Sequence, residues 1–260
     1  MLIRTWNLFH GNALPPQRRS FLDEMMTLAT ADDPDVVCVQ EVPAWALGRF
    51  TVGDIAARPT VGPFPSSAAV GRRLTSFNHG VLRSAFSGQG NAIAVSPRLR
   101  VLAHEHQQLN PRRFRAAEAR RLGLGIVART AWAKERRVVQ TVRLGADDGR
   151  TYLVANMHCT SLADRRIAQA ELLRGAAFAT SQALHDDVVV LAGDFNLTGA
   201  AGAMADLTGP DWGFSAAGPG IDHVLVRGAE TSSPRRWPTE RRRVDGHLLS
   251  DHAPVEVEIS

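Results

Sequence analysis

The feature that most restricts the fold is a set of short, wholly apolar, β-branched runs, clearest at residues 36–39 (VVCV) and 188–192 (VVVLA). Four or five residues is the length of a strand, and a strand without polar alternation has both of its faces covered. Comparable runs recur at residues 2–7, 36–41, 91–96, 100–109, 122–130, 138–144, 152–158, 188–196, 223–227 and 254–259. Two segments carry helical spacing instead. In residues 17–29, Phe21, Leu22, Met25, Leu28 and Ala29 share a stripe, and Ser20 is placed to cap an inner start; in residues 164–185 the stripe is Ile167, Ala170, Leu173, Ala177 and Leu184. Strands outnumber helices, which predicts an α/β protein with more than one sheet rather than a doubly wound fold. Residues 44–90 give no clear assignment. No repeat, Gly/Ser linker or charge block divides the chain, so a single domain over residues 1–260 is expected.

The polar residues fall at the ends of these runs. Thr5-Trp6-Asn7, Val39-Gln40-Glu41, Asn156-Met157-His158 and Gly193-Asp194-Phe195-Asn196 each close an apolar run with an amide, a carboxylate or an imidazole. Strand side chains alternate faces, so Asn156 shares a face with His158, and Asp194 shares one with Asn196. Ile221-Asp222-His223 and Ser250-Asp251-His252 add further acids and imidazoles. Any one of Asn7, Asp194 or Asp222 alone reads as a turn residue, because Asx side chains commonly close strands. Glu41 does not, since Glu is a poor turn residue and is costly to bury unpaired.

Together these residues describe a phosphoesterase that uses a hard cation. Mg²⁺ takes oxygen ligands, keeps several waters and is held by one or two carboxylates, with substrate phosphate supplying further oxygens. Glu41 fits a direct ligand, with Asn7 and Asp251 assisting. Hydrolysis also needs a group to activate water and donors to hold the charge that builds on the phosphoryl oxygens. Asp194 suits the first task; Asn196, His158 and His252 suit the second, and Asp222 is placed to orient a histidine.

The set TWN (5–7), QE (40–41), GNAI (90–93), NMH (156–158), GDFN (193–196), IDHV (221–224) and SDH (250–252) resembles the endonuclease/exonuclease/phosphatase superfamily, in that family's order and over almost the whole chain. The resemblance implies a four-layer α/β/β/α sandwich, two mixed sheets flanked by helices, with the site at one edge. It places Asn7, Glu41 and Asp251 at a Mg²⁺ or Mn²⁺ ion and Asp194 as the base. It puts Asn196 and His158 on the phosphate and His252, supported by Asp222, at the transition state. Asn91 matches a position either on the phosphate side or just behind it, and Asn156, on the face of His158, is a further candidate on the substrate side. The sequence departs from the abasic-site endonucleases, since its one tyrosine, Tyr152, stands near the start of a strand. There is also no glutamate before Gly90-Asn91 to pair with His158, which leaves Gln89, Asn91 or solvent as its partner.

Charge bears on the substrate. The chain carries a net +4 with a pI of about 10.0, and Arg98, Arg100, Arg112, Arg113, Arg115, Arg120 and Arg121 cluster around Phe114. Arg235-Arg236-Trp237 and Arg241-Arg242-Arg243 form a second group. Arginine beside an aromatic ring clamps phosphates and stacks on bases, so nucleic acid is the expected substrate and Arg113 a candidate contact. The same arginines read equally as a solvated face. Trp212-Gly213-Phe214 reads as either a substrate loop or a hydrophobic plug. An inositol-phosphate or phospholipid head-group phosphoesterase would share the same catalytic residues. A catalytically inactive binding module of the same fold is the reading from another class, but such modules lose an acid or a histidine from the set and none is missing here. The longest apolar runs fall far short of the ~20 residues that span a bilayer, and the start of the chain lacks a signal-peptide pattern. A cytoplasmic protein without stable membrane association is therefore expected, and Cys38 and Cys159 read as reduced core thiols.

Overall fold

The computed structural model describes residues 1–57 and 88–260, so residues 58–87 of the unassigned stretch 44–90 lie outside the described residues. One sheet has six strands in the order β11 (Arg235–Arg236), β14 (Val255–Glu258), β1 (Leu2–Asn7), β3 (Val36–Pro43), β5 (Gln89–Val95) and β4 (Val52–Ala57). A second has five, in the order β10 (Asp222–Arg227), β9 (Asp187–Asp194), β8 (Thr151–His158), β7 (Val138–Gly145) and β6 (Arg100–Gln108). A small third sheet joins β12 (Arg243–Val244), β13 (His247–Leu249) and β2 (Ala13–Leu14).

Two strand pairs are parallel, β1 with β3 and β8 with β9. Parallel neighbours need a crossover, and helices α1 (Leu22–Ala29) and α4 (Arg165–Gln182) supply the two. Each pair therefore sends both of its C-terminal ends to the same edge of its sheet.

Side-chain alternation builds three apolar layers. Ile3, Val36, Cys38 and Ile93 meet Val142, Val154, Val190 and Val224 between the sheets. On the outer face of the first sheet, Trp6, Val37 and Val39 pack on Phe21, Leu22, Met25 and Ala29 of the α1 region. On the outer face of the second, Leu153, Ala155, Val189 and Leu191 pack on Ala168, Leu172, Ala176 and Ala179 of α4. Helix, sheet, sheet and helix thus form the four-layer sandwich, held by buried side chains worth about 1.5–3 kcal/mol each. Cys38 and Cys159 are buried and free, as the sequence implies.

The expected strand at residues 122–130 is not formed. α2 (Arg112–Arg121) ends at Gly123, whose φ is +65°, and α3 (Ile126–Lys134) follows. Ala128 and Trp132, four apart, fold α3 back onto Ala119 and Leu124. The apparent alternation of Leu122-Gly123-Leu124 is a turn. α5 (Gly202–Thr208) is also missed by the sequence pattern, and α1 starts at Leu22 rather than Gln17, its first amide hydrogen-bonded to Ser20 Oγ at 3.3 Å. No helix among the described residues is long and apolar enough to cross a membrane.

Candidate active site

The C-terminal ends of β1, β3, β8 and β9 bring Asn7, Glu41, His158 and Asp194 together. Asn7 follows Ile3 and Thr5 on the face between the sheets, and His158 and Asp194 follow Val154 and Val190 on the opposing face. Asn7 Nδ2 donates to Asp194 Oδ2 at 3.0 Å, closing the gap between the two sheets. Strict alternation would send Glu41 outward with Val37 and Val39. The β3–β5 register slips between Val39 and Val42, and Glu41 adopts a left-handed φ of +53°, which turns its carboxylate into the cleft. There Glu41 Oε2 lies 2.9 Å from His10 Nε2, and Oε1 lies 4.0 Å from His158 Nε2.

Asp222 enters at the start of β10, in register with Asp194, and His252 comes from the loop before β14. His252 Nδ1 lies 2.9 Å from Asp222 Oδ2, and its Nε2 lies 3.8 Å from Asp194 Oδ2. His158 Nε2 is 3.4 Å from the same Asp194 oxygen. Asp251 sits on the rim with a side chain 44% exposed, Oδ1 4.0 Å from His252 Nε2.

Burial opposes ionisation at each of these groups, and the neighbours decide the outcome. At Glu41 the charges of His10 and His158, with hydrogen bonds from His10 and Asn7, outweigh burial and hold the carboxyl well below the usual range. Asp194 is pushed up to about 7 by burial and by the Asp222 charge. His252 is raised to about 9: burial would lower it, but the hydrogen bond and charge of Asp222, with help from Asp194 and Asp251, prevail. Burial and the Arg137 charge hold His158 low, so its ring is neutral. At neutral pH the cleft therefore pairs a carboxyl poised to accept a proton with an imidazolium that can donate one.

Asn156 and Asn91 are both buried and tie the two sheets together. Asn156 Nδ2 donates to Val39 O at 3.0 Å and Ala92 O at 2.8 Å, and Oδ1 accepts Gln40 Nε2 at 2.8 Å. These are the strand carbonyls beside the β3 bulge, so Asn156 braces the distortion that aims Glu41. Asn91 is likewise buried, its Nδ2 donating to Val138 O at 3.0 Å. Asn7 stands beside both carboxylates expected around it: its Nδ2 donates to Asp194 Oδ2, and its Oδ1 accepts the Phe9 amide at 3.0 Å. Asn196 donates its backbone N–H to Asp194 Oδ1 and its side-chain Nδ2 to Cys159 O, both at 3.0 Å, and so fixes the Asp194 carboxylate. Gly193 permits the close β8–β9 approach: a Cβ there would lie 1.9 Å from Met157 O.

The arginine groups separate. In the second, Arg242 is buried and its Nη1 donates to the carbonyls of Leu249, Ser250 and His252, which locks the SDH loop. Arg241 pairs with Asp32 and lies over Trp237, and Arg235 pairs with Glu256, so this group holds the fold together. In the first, Arg98 pairs with Asp35, and Phe114 packs edge-on against Trp132. Arg113 is exposed on α2, with Arg112 and Arg120. Phe214 is buried in the α4 layer with Trp212 against it, which makes that segment a plug.

Sequence reading missed His10, Arg137 and Arg242. Arg137 is buried, 2.6 Å from Glu135, with its charge acting on His158. Nothing in Glu135-Arg136-Arg137 separates it from its exposed neighbour. His10 meets Glu41, 31 residues on, across a turn, and Arg242 reaches carbonyls seven to ten residues on through a loop, where periodicity carries no signal.

The family model described as Endonuclease/Exonuclease/phosphatase family matches residues 5–252. The chain belongs to that family. Solved structures share the fold over the whole chain at low identity. A functionally unknown conserved protein from Enterococcus faecalis V583 is 15% identical, with 100% of this chain and 99% of that one covered and a TM-score of 0.66. A mannosyl-6-phosphatase from Bacteroides thetaiotaomicron VPI-5482 is 13% identical, with 100% and 99% covered and a TM-score of 0.61. D. rerio TDP2 complexed with single strand DNA product is 15% identical, with 100% and 98% covered and a TM-score of 0.61. No curated protein matches the chain in sequence.

Proposed function

We propose that this member of the endonuclease/exonuclease/phosphatase family is a divalent-metal-dependent phosphodiester hydrolase acting on nucleic acid, as a nuclease or an end-processing phosphodiesterase. The observation that carries the reading is the Asp194–His252–Asp222 array facing an ionised Glu41 across one cleft. The cleft gathers the carboxylates of Glu41, Asp194, Asp222 and Asp251, an oxygen-rich donor set that fits a Mg²⁺ or Mn²⁺ ion. Glu41, with Asn7 and Asp251 assisting, would hold it. When bound, the cation neutralises charge on a phosphoryl oxygen.

The chain's own groups supply the rest. Asp194 accepts a proton from the attacking water. His252, its Nδ1 held by Asp222, presents Nε2–H to the phosphoryl oxygen as charge builds. His158 adds a neutral donor, with Arg137 behind it. Asn7 and Asn196 fix Asp194 from two sides.

The α2–α3 hairpin supports a polyanionic substrate. It exposes Arg112, Arg113, Arg120, Arg129, Lys134 and Arg136, and it runs directly into Arg137 beside His158. A phosphate monoester or head-group substrate is the second reading, favoured by the mannosyl-6-phosphatase among the similar structures. The test is a hydrolysis panel of single- and double-stranded DNA, RNA, a 5′-tyrosyl oligonucleotide, sugar phosphates, inositol polyphosphates and sphingomyelin, each with Mg²⁺, Mn²⁺ or EDTA. Metal-dependent cleavage of nucleic acids is expected. Cleavage confined to the monoesters or to lipid would replace the nucleic-acid reading.

A further inference from the structure

We infer that the α2–α3 hairpin is an arm that grips double-stranded DNA beside the cleft, with its arginines on the backbone phosphates and the Ile126-Val127 tip in the groove as an apolar wedge. The inference rests on the nucleic-acid reading above and adds to it a preference for duplex and the element that sets it.

The first support is charge. Residues 111–137 hold nine basic residues and two acids, a net of +7 in a chain whose total is +4. Both acids are neutralised within the hairpin, Glu118 by Arg121 at 2.7 Å and Glu135 by Arg137 at 2.6 Å. Exposed Arg112 and Arg113 stand at the start of α2, Arg120 near the tip, Arg129 one turn into α3 and Lys134 at its end. The charge thus runs the length of both helices, about 13–15 Å, which is the span of about four base pairs. An extended polyanion matches such a track. With the tip buried in a bilayer instead, Arg112, Arg113 and Lys134 would stand more than a Debye length of about 8 Å from the head groups.

The second support is the tip. Residues 122–128 carry no charge, and Ile126 and Val127 are 81% and 84% exposed. The other large apolar residues of the hairpin turn inward: Leu124 and Trp132 pack with Ala119 on Ile167 of α4, and Phe114 and Leu122 lie against them. Aliphatic side chains of this kind wedge between the base steps of a duplex from its groove, whereas single strands are held by open aromatic rings on which the bases stack. Trp132 is buried, and Phe114 lies edge-on against it with the Arg174 guanidinium 4.9 Å from its centre. Neither ring is open to a base, so the hairpin suits a duplex.

The third support is the mounting of the arm. Trp132 Nε1 donates to Glu171 Oε1 at 2.6 Å, and the same buried carboxylate accepts the Thr160 amide at 2.7 Å and the Thr160 hydroxyl at 2.9 Å. Thr160 follows His158 by two residues. Leu109 N–H donates to Arg137 O at 2.8 Å, which closes the hairpin where the Arg137 charge acts on His158. The arm is therefore tied to the segment that carries an imidazole of the cleft, and a duplex held on it is held in fixed register with Asp194 and His252.

The experiment is fluorescence anisotropy of the purified full chain with a labelled DNA duplex of about 20 base pairs and with one of its single strands, in EDTA so that the DNA stays intact, at about 50–200 mM salt. Wild type is compared with Ile126→Ser/Val127→Ser and with Arg113→Ala/Arg120→Ala/Arg129→Ala. All five positions are exposed, so melting temperatures should hold. Wild type is expected to bind the duplex at least about tenfold more tightly than the single strand, and the tip variant to lose most of that preference by weakening the duplex alone. The arginine variant should weaken both and flatten the slope of log K against log salt by about 2–3. Cleavage of nucleic acid in the hydrolysis panel, with no duplex preference in wild type or with unchanged duplex affinity in the tip variant, overturns the inference and leaves the nucleic-acid reading standing. Tip-dependent binding to phosphatidylserine vesicles without binding to duplex assigns the tip to a lipid surface and overturns it as well. A panel without nucleic-acid cleavage overturns the reading and the inference together.

Discussion

Both oxygens of Asp222 lie against His252 Nδ1, at 3.0 and 2.9 Å, while the opposite ring nitrogen points at Asp194. The carboxylate thereby fixes the ring's orientation and favours its protonated form. The Asp194 carboxyl and the His252 imidazolium are in this way set on opposite sides of the same few ångströms.

The pH dependence of kcat/KM follows from this pair. Asp194 must be deprotonated and His252 protonated, so activity is expected to rise with pH through about 7 or below and to fall through about 9. A bound cation draws the lower limb further down. Asp222→Asn removes the charge that raises His252, so its upper limb should move to lower pH. A profile of a chromogenic phosphodiester between pH 5 and 10 checks both limbs.

Asp194→Asn and His252→Ala should each reduce turnover by roughly 10²–10⁴-fold. Thermal transitions should stay within a few degrees of wild type, because neither residue belongs to the apolar layers. Paired rate and melting measurements separate loss of chemistry from loss of fold.

Asn156→Ala tests the brace behind Glu41. The substitution leaves the Val39 and Ala92 carbonyls without their donor, at about 1–3 kcal/mol for each group buried and unsatisfied. Denaturant unfolding should show a loss of about 2–6 kcal/mol, and Mn²⁺ affinity should drop as the bulge relaxes. Stability and metal binding both unchanged would show that Asn156 does not hold the bulge.

Gly193→Ala should damage stability and turnover together. The added methyl meets the Met157 carbonyl, so the β8–β9 ladder must part next to Asp194. Overpacking of this kind costs about 1–3 kcal/mol or more. Melting temperature and kcat of the purified variant are the readouts.

Much of this was legible in the sequence, and the reasons differ by element. The inter-sheet strands read correctly because residues 36–39 and 188–192 are apolar on both faces, and the motif ends at Asn7, Glu41, His158 and Asp194 do meet at one edge. Residues 122–130 misled because a glycine turn and a β-branched helix start imitate a strand. Asn156 and Asn91 are ambiguous for a different reason: a polar residue on the inner face of a strand looks the same in sequence whether it meets substrate or ties two sheets. His10 was invisible because its role depends on a left-handed turn and on a register slip in β3, neither of which leaves a periodic trace.

The central claim is that Asp194 and a cation beside Glu41 act together on a phosphoester. The most direct measurement is metal-dependent hydrolysis of bis(4-nitrophenyl) phosphate and of a short oligonucleotide by wild type, Asp194→Asn and Glu41→Gln. The account predicts turnover by wild type that EDTA abolishes and Mn²⁺ restores, with both variants reduced at least a hundredfold. Turnover that survives EDTA and both substitutions would contradict it.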